Sequence, residues 1–107
     1  MASKLGDKLK DLRKQKGLTL EKLADLAGLS KSYLWELENR ESQRPSAEKL
    51  TSLADVLGVA VSYFIEEDVR VPEERHRDEA FFRNYQKLEP EAKEQLRRIL
   101  DTFRSKP

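Results

Sequence analysis

The 107-residue chain is predicted to be all-α: a bundle of five short helices followed by a C-terminal helical hairpin. Two observations carry this. Apolar residues recur at helical spacing along nearly the whole chain, and nowhere do β-branched and polar residues alternate long enough for a strand. Small hydroxyl residues stand just before several of these stripes, and Gly17, Gly28 and Gly58 stand just after them. Such residues start and stop helices.

In the first helix Leu5, Leu9 and Leu12 share a face, and Gly17 ends it. Thr19 caps a second helix carrying Leu23, Ala24 and Ala27, which stops at Gly28. Only Gly28-Leu29-Ser30 separates it from a third helix with Leu34 and Leu37 inward. Two helices joined so tightly cross steeply, so the first needs a small residue at the crossing, Ala24, and the turn needs positive φ, Gly28. The polar loop "ENRESQR" leads to Pro45, and Ser46 caps a fourth helix with Leu50, Leu53 and Leu57, ended by Gly58. Ser62 opens a short fifth helix, "YFI".

Beyond Ile65 the segment "EEDVRVPEERHRDE" is charged, contains Pro72 and lacks an apolar face, so its first half reads as a linker. Two stripes follow, Phe81, Phe82, Tyr85 and Leu88, then Ala92, Leu96, Ile99, Leu100 and Phe103. Pro90 between them is placed to begin the second helix. The predicted organisation is residues 1–67 as a bundle domain, 68–76 as linker and 77–107 as a helical interaction segment.

The formal net charge is only +1, so any attraction to a polyanion must be local. Residues 1–45 hold ten Lys/Arg against seven Asp/Glu, and the remainder is slightly acidic. Without cysteine there is no disulfide or thiolate site, which suits a reducing cytoplasm. No apolar run is long enough for a bilayer, so neither a membrane partner nor a membrane location is expected. An enzyme is not expected either: His76 is the only histidine, and no second histidine or cysteine completes a site. The carboxylate runs Glu66-Glu67-Asp68 and Glu73-Glu74 read as solvated, so neither a metal nor a cofactor is expected.

The third helix keeps an outer face of Lys31, Ser32, Trp35 and Glu36. A helix presented so fits the major groove of B-DNA, its N-terminal residues nearest the base edges. In order and spacing, "LRKQKGLT", "LADLAG", "SKSYL", "ELEN", "RPSAEKL" and "LADVLGV" resemble the helix-turn-helix domain of the Cro/CI-type (XRE family) transcriptional regulators, over residues 4–65. The resemblance implies the lambda-repressor-like five-helix fold. It also implies a cytoplasmic regulator, by family default a repressor, binding a palindromic double-stranded DNA operator as a homodimer. Lys31 and Ser32 fall where the family reads bases, and Tyr33, Asn39 and Arg40 where it touches phosphates. Arg44 in the following loop is a further phosphate candidate. Arg13 and Glu38 occupy positions that form a structural ion pair in the family.

Three departures bear on the operator. Leu20 stands where many members have a glutamine, Trp35 where a small residue is common, and Arg40 where glycine often follows "EN". Trp35 is read as a contact to DNA or between subunits, or as folded over the first helix. Glu36 could accept from cytosine N4, but an orienting role suits a carboxylate beside phosphates better.

The stripes of the tail hold Phe81, Phe82, Tyr85, Leu88, Leu96, Ile99, Leu100 and Phe103, more apolar surface than two facing helices can cover. Self-association is the favoured reading, since an isologous dimer matches a two-fold operator. The bland alternative is packing back on helices four and five. The functional alternative is an antitoxin-type interaction module, whose tail binds a second protein (a toxin, protease or antagonist) while its N-terminal domain autoregulates.

Overall fold

The computed structural model describes residues 4–40 and 44–104, so the middle of the polar loop before Pro45 lies outside the described residues. The described residues form seven helices in order: α1 Lys4–Gln15, α2 Leu20–Ala27, α3 Lys31–Asn39, α4 Ala47–Leu57, α5 Val61–Ile65, α6 Glu74–Gln86 and α7 Pro90–Arg104.

Local chemistry sets most of the ends. Thr19 Oγ1 accepts from the Lys22 amide at 3.0 Å, Ser30 Oγ from Tyr33 at 3.1 Å and Ser46 Oγ from Lys49 at 3.2 Å. Each satisfies an amide that the first turn leaves without a partner. Gly28 and Gly58 close α2 and α4 at φ 72° and 73°, where a side chain would be strained.

At the α2–α3 turn the Leu29 amide donates to Ala24 O at 2.8 Å, and Ala24 is buried at the crossing. A second close approach involves Gly6. A Cβ there would stand 2.6 Å from Glu38 O and 2.8 Å from Leu37 O, so α1 packs on the end of α3 almost backbone to backbone. Around these contacts Leu9, Leu12, Leu23, Leu34, Leu37, Leu53 and Leu57 form one buried cluster, which Val59, Tyr63 and Phe64 complete.

Two expectations are corrected. Ser62 does not cap α5. The helix begins at Val61 after Ala60, which has no capping side chain, and the Ala60 amide donates instead to His76 O at 3.0 Å.

Nor is 68–76 a free linker. Tyr63 OH donates to Arg70 O at 2.8 Å, Val69 packs on the core cluster, and Pro72 and His76 are buried. The helix α6 starts within this stretch, with Glu73 and His76 forming a capping box. Its first turns lie against the bundle through His76 and Ala80, so the bland alternative holds for half of α6. Beyond Ala80 the apolar side of α6 faces away from the bundle, although Arg83 and Lys87 still reach Asp55 of α4, and α7 has no buried residue. The molecule is 54 Å long by 28 and 24 Å.

Candidate nucleic-acid interface

Placed by the Ser30 cap and the Leu34/Leu37 anchor, α3 turns Lys31, Ser32 and Trp35 outward. Lys31 Nζ lies 3.9 Å from the Glu21 carboxylate, with both side chains largely exposed. Such a pair is weak enough to exchange for a phosphate. Trp35 is 47% exposed, and the Arg40 guanidinium lies over its ring at 5.8 Å. Arg40 also stands 4.0 Å from Glu36, which ties that carboxylate to a cation on its own helix. Arg44 is exposed beyond α3.

Two of the expected contacts are more deeply built in. Tyr33 is half-buried, with Lys49 Nζ 4.4 Å from its ring centroid. Asn39 donates through Nδ2 to Trp35 O at 2.8 Å and accepts at Oδ1 from Lys10 Nζ at 3.0 Å, so both ends of its amide already hold α3 to itself and to α1.

Behind this face Arg13 and Glu38 meet in a two-pronged pair, Nε to Oε2 at 2.8 Å and Nη2 to Oε1 at 3.1 Å. Arg13 Nη1 also donates to Leu18 O at 3.0 Å. The pair joins α1, the loop after it and the end of α3, fixing the angle at which α3 is offered.

Sequence reasoning did not foresee a polar latch between bundle and tail. Lys8, buried in α1, donates to Tyr63 O at 2.6 Å and to Glu66 O at 2.5 Å. His76 Nδ1 accepts from the Glu73 amide at 2.9 Å, which leaves Nε2 to donate to Glu66 Oε1 at 2.8 Å. Arg75 grips the same carboxylate at 2.9 and 3.1 Å. Its hydrogen bonds, with those of His76, hold the Glu66 carboxyl down at about 2. Farther along α6, Arg83 donates to Asp55 and to Val59 O, and Lys87 to Asp55. Burial acts to raise the Asp55 carboxyl, but the hydrogen bonds from Lys87 and Arg83 prevail and lower it.

On the far side of α6, Phe81, Phe82, Tyr85, Leu96, Ile99, Leu100 and Phe103 line an open groove of about 460 Å³ between α6 and α7. Leu88, 39% exposed in the turn between the helices, stays outside it. Phe81, Phe82 and Phe103 are 63%, 58% and 74% exposed, so the groove's apolar walls are uncovered.

A helix-turn-helix domain family model matches residues 4–62, from the start of α1 into α5. The chain belongs to the XRE-type helix-turn-helix family. Residues 4–62 are thus a helix-turn-helix domain of that family. Over 71 residues the chain is 38% identical to the immunity repressor protein of Bacillus phage phi105, 66% of this chain and 49% of that protein. It spans about half the length of the curated relatives it matches. The crystal structure of the biofilm regulator SinR in complex with DNA superposes with a TM-score of 0.56 at 37% identity, over 58% of this chain and 98% of that one. The tail is included in the likeness to a chain of the SinR protein/SinI protein complex, at TM-score 0.58 and 29% identity over 94% of both chains. Among the described residues no helix is long and apolar enough to cross a membrane.

Proposed function

We propose that the protein is a cytoplasmic repressor that binds a two-fold operator as a homodimer, with α3 in the major groove. The observation that carries this is the outer face of α3, where Lys31, Ser32, Trp35 and Arg40 project from a helix braced by the Arg13–Glu38 pair. In this reading Lys31 and Ser32 meet base edges near the start of the helix, and Arg40 and Arg44 neutralise phosphates at its far end. Tyr33 and Asn39 hold the helix in position. The uncovered α6–α7 groove supports pairing through the tail, because burying its aromatic walls needs a second apolar surface. A dimer then places two copies of α3 on successive turns of one DNA face, and occupancy of a promoter blocks transcription without added chemistry.

The same groove supports a second reading, in which a different protein occupies it and controls the regulator. The likeness to a chain of the SinR protein/SinI protein complex favours keeping it.

Binding to duplexes enriched from a random library tests the DNA placement. Lys31→Ala is expected to weaken the enriched duplex by roughly 1–3 kcal/mol and to relax preference at one position per half-site. Equal loss on scrambled DNA would make Lys31 a phosphate contact only, and no loss on either would remove α3 from the groove.

A further inference from the structure

The face of α3 that carries two cations also carries an apolar ledge. Leu20 at the start of α2 and Trp35 of α3 line one open groove of about 410 Å³ together with Lys31, Ser32, Glu36 and Arg40. Trp35 is out of character for the bundle, whose other large rings are buried, as in Tyr63 and Phe64, or half-buried, as in Tyr33. Arg40 lies over the Trp35 ring at 5.8 Å, and Asn39 donates to the Trp35 backbone carbonyl. Leu20 is half-buried, its inner side packed on the core and its remainder open to the groove.

The chemistry of this ledge is selective among base edges. Indole offers an apolar ring and a single donor, with no acceptor, and Leu20 offers neither donor nor acceptor. Cytosine presents a donor in the major groove, which neither Leu20 nor Trp35 can accept, and the groove's carboxylate, Glu36, is turned to Arg40 at 4.0 Å. Guanine would satisfy the indole N–H but brings no apolar group to cover Leu20. Thymine alone sets a methyl group beside an acceptor. Lys31 and Arg40 on the rim supply the attraction that brings the polyanion to this face. We propose that Leu20 and Trp35 read one thymine in each operator half-site by enclosing its C5 methyl group. The inference rests on the placement of α3 in the major groove proposed above, and it narrows that placement to a base.

The test uses the full chain and the best duplex enriched from a random library. Each thymine is replaced in turn by uracil, which removes the methyl group and leaves the pairing edge intact. One replacement per half-site is expected to weaken binding about fourfold, the factor for taking one methyl-sized group out of water. Trp35→Ala and Leu20→Gln, each checked for a wild-type helical content, should bind the parent duplex more weakly while no longer distinguishing uracil from thymine at that position. Uracil duplexes that all bind like the parent would overturn the methyl reading and leave DNA binding standing. A methyl effect that survives both substitutions would overturn the assignment to Leu20 and Trp35. Failure to enrich any sequence would overturn the DNA placement itself, and this inference with it.

Discussion

Glu38 is 1% exposed, and both of its oxygens are taken by Arg13. Removing one partner strands the other charge in a site with little water, so Glu38→Ala should cost about 3 kcal/mol in urea unfolding. The double change Arg13→Met with Glu38→Leu should recover much of that loss, because it removes both desolvated charges together. A single-variant loss below about 1 kcal/mol would show that water replaces the pair, and that α3 is braced by packing alone. Residues at this scale differ in how legible they were. Arg13 and Glu38 could be singled out only through the family resemblance, since 25 residues separate them and neither sits in a local pattern. His76 gave no signal of burial, because "EERHRDE" surrounds it with charge. Its interior position comes from contacts with Glu66, Tyr63 and the Ala60 amide, which are set by the tertiary fold.

The caps of α2, α3 and α4 were readable because each is a short-range bond between a hydroxyl and an amide three residues on. The start of α5 and the nature of the 68–76 stretch were not readable, because their partners are distant. The half-sided character of α6 follows from the same cause. His76 and Ala80 face the bundle, while Phe81 and Phe82 face away, and a stripe in sequence does not say which face is met. The Glu66 latch makes this junction sensitive to acid. Its carboxyl titrates near 2 in the folded chain against an ordinary 4.5, so the folded state favours the charged form. The stabilisation is therefore complete above pH 4.5 and fades as pH falls toward 2. Urea midpoints should show wild type more stable than Glu66→Gln at neutral pH, with the gap closing across that window. A gap that stays constant to pH 2 would mean that the Arg75 and His76 contacts do not distinguish the two protonation states.

At the scale of the whole molecule, the N-terminal bundle is closed and the tail is not. The buried core cluster lies within residues 9–64, with Leu5 and Val69 packed against it, whereas Ile99, Leu100 and Phe103 on α7 stay more than half exposed. Burying each such side chain is worth roughly 1.5–3 kcal/mol, so the groove is where association gains most. Linking two DNA-binding domains through it would make the second half-site encounter intramolecular, raising affinity by roughly a hundredfold or more without a new DNA contact. The need for a partner was legible in the excess of aromatic residues at helical spacing. The partner's identity was not, because an apolar wall fits a second copy or another helix equally well. Sedimentation velocity of the full chain beside Phe82→Glu/Ile99→Glu tests the dimer most directly, since both residues line the groove and neither touches the bundle core. The account predicts a wild-type dimer and a folded, monomeric double variant. A double variant that remains as dimeric as wild type would contradict it, placing the two-fold contact in the N-terminal bundle and leaving the groove to another protein.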